Sequence, residues 1–255
     1  MPIATVARFN LTPIKSTALH HPDEIDLLPE GAVGDRRFLF ARPDGVRFRG
    51  ISKAPLMPIV ATWRPEEERL TMRLPDDSIA EGSALAVGEG VDVQLFDRTI
   101  RARPIHPAFA EAIAPAVDET LALLRVEEPE YAGGRHRASI VSLASVADVG
   151  RRGTDPDLDP RRFRMLIELD GLDPYDEDAW QGRRIRLGTA VIRLADRMPR
   201  CVVTTLHPDT GVQDSDVLKV LAGYRKVGTE VVLGVYGDVE ERGRIARGDP
   251  VELLD

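Results

Sequence analysis

The residue best suited to chemistry in this chain is its single cysteine, Cys201. Arg200 precedes it directly, and the β-branched run 202–205 follows it. A lone cysteine cannot form a disulfide framework or a paired-cysteine metal site, but it can supply one thiolate to a metal or act as one nucleophile. A neighbouring cation favours the thiolate, which is the form that binds metals and attacks electrophiles. The alternative is a buried structural residue, because unpaired cysteines are often buried.

Other familiar catalytic patterns are missing from the sequence. It contains no Gly-x-Gly-x-x-Gly or Walker loop for nucleotides, no Gly-x-Ser-x-Gly and no His-Glu-x-x-His. His20 and His21 are adjacent, and adjacent residues of a strand point to opposite faces, so a shared metal is not indicated. The acidic segment 155–160 lacks the glycine and the distal glutamate of a calcium loop. Cys201 is therefore the main candidate.

Composition restricts the class of protein. The 255 residues carry 34 basic and 42 acidic side chains, a net charge of −8, which argues against nonspecific binding to nucleic acid or membrane surfaces. Hydrophobic residues make up 43%, enough for a folded core, and no apolar run approaches the ~20 residues of a membrane span. The first residues lack the basic and apolar regions of a secretion signal, and one cysteine suits a reducing compartment. We therefore expect a cytoplasmic protein.

The first 105 residues are predicted to form short strands separated by turns. Signals such as Pro43-Asp44-Gly45 mark the turns. The predicted strands are 6–11, 37–41, 46–49, 59–64, 69–74, 91–96 and 99–105. This spacing predicts an N-terminal β-barrel-like domain over residues 1–105.

The second part, residues 106–255, is predicted to mix strands with a few helices. Segment 107–126 has helical periodicity, interrupted at Pro115. Ser142 is the predicted N-cap of a second helix, and Asp214 that of a third. Strands are predicted at 139–141, 162–169, 184–187, 190–195, 201–206, 230–236 and 251–254. The predicted fold class is therefore mainly β (α+β), with a second β-barrel decorated by helices.

Eight short segments carry a resemblance to one protein family. They are 12–16 (Thr-Pro-Ile-Lys-Ser), 34–38 (Gly-Asp-Arg-Arg-Phe), 162–164 (Arg-Phe-Arg), 177–180 (Glu-Asp-Ala-Trp), 200–205 (Arg-Cys-Val-Val-Thr-Thr), 208–211 (Pro-Asp-Thr-Gly), 218–225 (Leu-x-x-Leu-x-x-Tyr-Arg) and 248–251 (Gly-Asp-Pro-Val). Taken in this order, they resemble the MOSC family of molybdenum-cofactor proteins, in the form with a β-barrel domain ahead of the MOSC domain, as in amidoxime-reducing components. The resemblance runs from residue 5 to the C-terminus. It implies that residues 106–255 form the MOSC β-barrel.

The resemblance implies a molybdenum cofactor, Mo–molybdopterin, with Cys201 as its metal ligand and catalytic residue. A thiolate is a soft donor that suits this metal. The implied cofactor contacts are Lys15, Ser16, Arg36 and Arg164. Arginine suits the cofactor's phosphate because it binds phosphate through two parallel hydrogen bonds. Arg200 lies beside the metal ligand and is expected to offset its negative charge.

The four implied cofactor contacts also have structural explanations. Lys15 and Arg36 could be ordinary surface charges, and Ser16 could simply end the first strand. Arg164 could form a salt bridge from one face of its predicted strand.

The sequence departs from the family pattern at two places. Met165-Leu166 stands where relatives carry Pro-Asn, so an amide expected near the cofactor is replaced by apolar side chains. Arg135-His136-Arg137 stands where relatives carry small hydroxyl residues, and these three could either reach a phosphate or close the site.

The function implied by the resemblance is a molybdenum-dependent reductase of N-hydroxylated substrates such as amidoximes and hydroxylamines. The chain contains no iron–sulfur domain, so electrons are expected from a separate transfer partner. Neither a nucleic-acid partner nor a membrane span is expected. Two alternatives remain open, namely a non-catalytic module that binds or carries the cofactor, and a sulfur carrier that works through a Cys201 persulfide.

Overall fold

The computed structural model describes residues 2–48, 54–127, 129 and 131–254. The strands are β1 (Ala4–Phe9), β2 (Glu24–Leu28), β3 (Gly31–Ala32), β4 (Phe38–Ala41), β5 (Val60–Arg64), β6 (Arg69–Arg73), β7 (Ile79–Ser83), β8 (Val91–Leu95), β9 (Arg98–Pro104), β10 (Ala122–Val126), β11 (Ala138–Ser142), β12 (Ile167–Asp170), β13 (Arg184–Leu187), β14 (Ala190–Pro199), β15 (Lys226–Val227), β16 (Glu230–Glu241), β17 (Gly243–Ala246) and β18 (Pro250–Leu253). The helices are α1 (Ala108–Ile113), α2 (Leu143–Arg152) and α3 (Val217–Ala222). Short 3₁₀ turns lie at Pro65–Glu67, Ala114–Ala116, Pro160–Phe163, Asp176–Trp180 and Val202–Thr205. The predicted mainly β fold is confirmed.

A closed β-barrel forms the larger core. Its seven strands follow the order β11-β12-β1-β18-β13-β14-β16, and the antiparallel pair β16–β11 closes the ring. Side chains alternate along the barrel strands, so that Ile185 and Leu187 on β13 point inward while Arg186 between them is exposed. Phe9 and Val251 are fully buried in the same core.

The two ends of the chain meet in this barrel. β1 pairs with β18 on one side and with β12 on the other. β2 pairs with β17 and β3 in a separate three-stranded sheet. In the other direction, β10 pairs with β4 and β9, which precede residue 105. Strand pairing therefore crosses the predicted boundary between residues 105 and 106 both ways, and the division into two domains there stays a prediction.

A second core lies under the sheets β4-β10-β9-β8 and β5-β6-β7. Phe38, Leu70 and Met72 are fully buried there, together with Phe109 and Ile113 from α1. Buried and exposed side chains alternate along β6, β8 and β9, whereas all four residues of β4 are buried. The predicted strand 46–49 extends beyond the described residues at Arg49, and within them its first residues form isolated bridges only.

The helical segment predicted over 107–126, with its interruption at Pro115, is confirmed before that proline and is wrong after it. α1 ends at Ile113, and a 3₁₀ turn containing Pro115 follows, since proline lacks the backbone N–H that would continue the helix. The chain then forms β10, where Leu123 and Leu124 pair with the buried Phe40 and Leu39 of β4. Burial in a sheet thus prevails over local helix propensity.

The predicted strand 201–206 is also wrong, and this error matters for the site. Val202–Thr205 is a 3₁₀ turn. The hydroxyl of Thr204 donates to the carbonyl oxygen of Cys201 at 2.9 Å, and that of Thr205 donates to Val202 at 2.7 Å. Such hydroxyls offer the preceding carbonyls a local partner that competes with a strand ladder.

Two further predictions need correction. The strand predicted over 162–169 begins only at Ile167, because Pro160 and the capping side chain of Asp159 start a 3₁₀ turn ahead of it. Asp214 does not cap the last helix, which begins at Val217. In contrast, Ser142 caps α2 as predicted, with its hydroxyl accepting from the N–H of Ala144. Among the described residues, no helix combines the length and apolar character needed to cross a membrane.

Candidate functional site

Cys201 lies in the connection between β14 and the 3₁₀ turn Val202–Thr205, and its side chain is exposed. The interpretation as a buried structural cysteine is therefore wrong. The backbone N–H of Thr204 donates to the Cys201 carbonyl at 3.1 Å, so the turn fixes the backbone of the thiol-bearing residue. An exposed thiol on a fixed turn can bind a metal or react with a small molecule.

Arg200 turns back from this thiol into the protein. Its guanidinium donates to the sulfur of Met165 at 2.9 Å and to the carbonyl of Phe163 at 3.0 Å, and it lies 5.8 Å from the Phe163 ring centroid. Burial lowers the pKa of Arg200 to about 10, although the neighbouring Cys201 acts in the opposite direction. Among the described residues, its buried Nε has no hydrogen-bond partner. The hydrogen-bond partners of Arg200 are uncharged atoms, so these bonds do not neutralise its charge.

Arg164 lies between the two residues that Arg200 contacts. Its backbone is left-handed, with φ 51°, because it ends the 3₁₀ turn rather than lying in a strand. Its guanidinium donates to the sulfur of Met57 at 3.1 Å and to the carbonyl of Thr17 at 2.6 Å. Burial, followed by repulsion from Arg36, lowers the pKa of Arg164 to about 9. These hydrogen bonds to neutral atoms are not the salt bridge that was the structural alternative.

Arg36 is held by a buried acid–phenol pair. It donates to Asp35 and, at 3.0 Å, to the hydroxyl of Tyr131, which itself donates to Asp35 at 2.6 Å. A third bond, of 3.2 Å, runs from Arg36 to the carbonyl of Arg164. Burial alone lowers the pKa of Arg36, but the Asp35 carboxylate prevails and raises it. Arg36 therefore stays charged, with only 11% of its side chain exposed.

Lys15 and Ser16 precede Thr17 in the same turn. Lys15 is half-buried, and its Nζ lies 5.0 Å from the ring centroid of Phe96. Burial lowers the pKa of Lys15 to about 7, with further contributions from Arg36 and other nearby arginines. Ser16 has φ 76°, a left-handed conformation that is uncommon outside glycine.

The six predicted site residues lie close together, although they come from distant segments. Arg200, beside Cys201, contacts both chain neighbours of Arg164, and Arg164 contacts the residue after Ser16. Three of the six, Ser16, Arg36 and Arg164, have left-handed backbones. Such strained positions persist where the surrounding structure holds them, and they are enriched at functional sites. We call Lys15, Arg36, Arg164 and Arg200 the cationic cluster.

The loop that carries Cys201 is tied to its surroundings by two arginines. Arg161 forms two hydrogen bonds, of 2.7 and 2.9 Å, with the carboxylate of Asp209. Arg162 forms a similar pair, of 2.7 and 3.1 Å, with Asp214. These bonds join the segment preceding Arg164 to the segment following Cys201.

Sequence reasoning missed several residues around the cluster. Asp35 and Tyr131 hold Arg36, and Met57 and Met165 accept hydrogen bonds at their sulfurs. Asp35 stands in a segment that carries the family resemblance, which is a usable signal. No sequence pattern points to Tyr131, which lies 95 residues from Arg36 along the chain.

The two departures from the family pattern are accommodated in different ways. Met165 and Leu166 are buried, and the Met165 sulfur faces Arg200. Arg135 pairs with Asp97 at 3.3 Å, and His136 pairs with Asp238 at 3.0 Å while stacking on a tyrosine ring. These contacts anchor 135 and 136 to carboxylates rather than to the cationic cluster.

The described residues contain no group of three or more His, Cys, Asp or Glu side chains arranged to hold a metal ion. A metal bound at Cys201 would therefore need further ligands that the described residues do not supply. A cofactor that brings its own sulfur ligands meets this requirement. Its phosphate would suit a cation such as Arg164, whose hydrogen-bond partners are the uncharged atoms Met57 Sδ and the Thr17 carbonyl oxygen.

The chain is similar to several known proteins. A model of the MOSC domain family matches residues 128–252. The chain is 25% identical over 283 residues to mitochondrial amidoxime reducing component 2 of Bos taurus, covering 98% of this chain and 83% of that protein. It is 34% identical over 124 residues to mitochondrial amidoxime-reducing component 1 of Homo sapiens, covering 45% and 36%. It is also 32% identical over 89 residues to a molybdenum cofactor sulfurase of Oryza sativa subsp. japonica, covering 33% of this chain and 11% of that one.

Proposed function

Because the chain belongs to the MOSC family, we propose that it binds a molybdenum cofactor and reduces N-hydroxylated compounds such as amidoximes and hydroxylamines. Relatives named as amidoxime-reducing components support the reaction class, and the molybdenum cofactor sulfurase supports the cofactor. In this proposal Cys201 is the metal ligand, and Lys15, Ser16, Arg36, Arg164 and Arg200 are the cofactor-binding residues.

The observation that carries the proposal is the exposed Cys201 thiol beside the cationic cluster. The cofactor combines a soft metal with an anionic phosphate, and these two parts need a thiolate and cations at one place. The guanidinium groups of Arg164 and Arg200 donate hydrogen bonds to methionine sulfurs and backbone carbonyl oxygens. These partners are uncharged, so they neutralise neither guanidinium charge. The residues present therefore fit the group.

Each residue has a distinct part in the proposed reaction. Arg36 and Arg164 would hold the phosphate, with Asp35 and Tyr131 fixing the direction of the Arg36 side chain. Arg200 would offset the negative charge of the Cys201 thiolate. When bound, the cofactor would supply a metal able to take an oxygen atom from the substrate. Conversion of N–OH to N–H consumes an electron pair and protons and releases water, so the reaction needs a reductant.

We assign delivery of these electrons to a separate electron-transfer partner, since the chain has one cysteine and cannot ligate an iron–sulfur cluster by itself. The acidic net charge of −8 is compatible with steering toward a basic partner surface. A location in the cytoplasm stays a prediction.

The test compares wild type with Cys201→Ser after expression in a molybdenum-replete host. We expect molybdenum to co-purify with wild type, and benzamidoxime reduction, driven by a chemical reductant, to be abolished in the variant. Since the side chain is exposed, the free energy of unfolding of the variant should differ from that of wild type by no more than ~0.5 kcal/mol. Full activity in Cys201→Ser, or wild-type protein without molybdenum, would refute the proposal.

The exposed thiol also favours a second candidate, a sulfur carrier, because a persulfide needs access to a sulfur donor and an acceptor. Mass spectrometry of metal-free protein separates the two. A sulfur adduct on Cys201 without retained molybdenum supports the carrier, whereas molybdenum retention without reductase activity supports a non-catalytic cofactor-binding module.

A further inference from the structure

Phe96 occupies an unfavourable backbone position at the tip of the β8–β9 hairpin. Leu95 and Arg98 pair across the hairpin, which leaves Phe96 and Asp97 as a two-residue loop. Phe96 has φ 57°, and the first position of such a loop with positive φ usually holds glycine. Phe96 is 54% exposed, so burial of its ring does not offset the backbone strain. An exposed aromatic residue held in a strained conformation indicates a role outside the core.

The Phe96 ring lies against two cations from other segments. Lys15 Nζ is 5.0 Å from the ring centroid, and the guanidinium carbon of Arg47 is 4.3 Å from it. Cations at these distances are attracted by the electron-rich ring face. The two like charges repel each other, and Arg47 contributes, after burial and Arg36, to lowering the pKa of Lys15. The attraction of both cations to the ring offsets part of this repulsion.

The hairpin tip is anchored on both sides of Phe96. Asp97 pairs with Arg135 at 3.3 Å. Arg98 donates to the carbonyl of Tyr131 at 2.5 Å, and Tyr131 is the residue that holds Asp35 and Arg36. The position of the ring is therefore tied to the same network that positions Arg36.

We propose that Phe96 is a positioning residue that holds Lys15 and Arg47 together, so that Arg47 joins the cationic cluster in binding a phosphate group. A cation pair held on one ring is preorganised for a doubly charged oxyanion, which then replaces repulsion with attraction. The chemical class of ligand is a phosphate monoester. Its identity as the phosphate of a molybdenum cofactor rests on the proposed function, but the binding of the anion does not.

The test uses the full chain, purified from a host that cannot make molybdenum cofactor, and titrates inorganic phosphate by calorimetry at fixed pH. We expect Phe96→Leu, which keeps the apolar bulk but not the aromatic ring, to weaken phosphate binding about fivefold. Phe96→Tyr should bind like wild type because it restores the ring. Arg47→Gln should weaken binding, whereas the control Arg101→Gln, which lies on β9 and forms an ion pair with Asp92, should not.

A second readout separates positioning from general structural support. Phe96→Gly relieves the left-handed strain, so its melting temperature should equal or exceed that of wild type while phosphate binding weakens. Equal phosphate affinity of Phe96→Leu, Phe96→Gly and wild type would overturn the proposal, as would wild-type protein that binds no phosphate. If wild-type protein binds phosphate but neither retains molybdenum nor reduces benzamidoxime, the proposed function is refuted and this inference stands.

Discussion

Arg164 Nη2 donates a hydrogen bond of 2.6 Å to the backbone carbonyl of Thr17, 147 residues earlier in the chain. This bond joins the turn that carries Lys15 and Ser16 to the segment that Arg200 contacts from the other side. It therefore links the two parts of the chain that the family resemblance assigns to one cofactor.

The first prediction concerns Arg164→Ala. The variant removes one cation from the cluster and the bond to Thr17, so we expect sulfate affinity of the cofactor-free protein to fall about tenfold, as for loss of one charge-assisted hydrogen bond. Calorimetric titration with sulfate measures the effect, and molybdenum stoichiometry of holoprotein should fall in parallel. Arg186→Ala, at an exposed arginine on β13, is the control and should change neither. Unchanged sulfate affinity in Arg164→Ala would show that the anion binds elsewhere.

The second prediction concerns the pH dependence that Lys15 causes. Burial and the neighbouring arginines lower its pKa from 10.5 to about 7 in the folded protein. At pH values below about 7 the lysine is charged in both the folded and the unfolded state, and the folded state bears the full cost of burying the charge. Between about 7 and 10.5 the folded state releases the proton first, so this contribution favours folding increasingly as pH rises.

Lys15→Met removes that titration. Its stability advantage over wild type in urea unfolding should be largest at pH values below about 7 and should shrink toward 10.5. Lys15→Arg retains a charge throughout, so its stability relative to Lys15→Met should stay constant across the same range. A constant difference between wild type and Lys15→Met would contradict the assignment.

The third prediction tests the packing of the turn that follows Cys201. Gly211 has φ +71°, and a Cβ there would lie 2.6 Å from the carbonyl oxygen of Ala54. Gly228 has φ +59°, and no atom of the described part of the chain lies within 4 Å of its Cβ position, which makes it a matched control. We expect Gly228→Ala to cost only the left-handed strain, about 1 kcal/mol, and Gly211→Ala to cost at least about 1 kcal/mol more. Urea unfolding measures both, and equal losses would show that the contact with Ala54 relaxes freely.

The fourth prediction concerns the pair Arg162–Asp214, which ties the Cys201 loop. The Arg162 side chain is 7% exposed and binds both carboxylate oxygens of Asp214, so we expect a coupling free energy of about 1–2 kcal/mol in a double-mutant cycle with alanine. The pair Arg73–Asp77 is the comparison, because its side chains are 53% and 85% exposed and water screens their charges. It should show no measurable coupling. Similar coupling free energies in the two pairs would mean that burial does not strengthen the interaction between Arg162 and Asp214.

Much of the local structure could be predicted from the sequence. Short segments bounded by turn signals predict β5, β6, β8, β9 and β13, because turn residues interrupt the chain at a regular strand spacing. Ser142 was found as a helix cap because its side chain satisfies a backbone donor within the same turn. Segments 122–126 and 201–206 were predicted wrongly, since sheet pairing decides the first and threonine hydroxyl bonds decide the second.

The sequence alone identified the mainly β fold class, the single cysteine and, through ordered short segments, the basic residues that accompany it. Only the tertiary structure decided that Cys201 is exposed, that Arg164 lies in a left-handed turn beside Thr17, and that Phe96 lies against Lys15 and Arg47. The physical reason is that residue types and short-range spacing set local conformational preferences. The meeting of side chains far apart in sequence depends instead on how the whole chain buries its apolar faces.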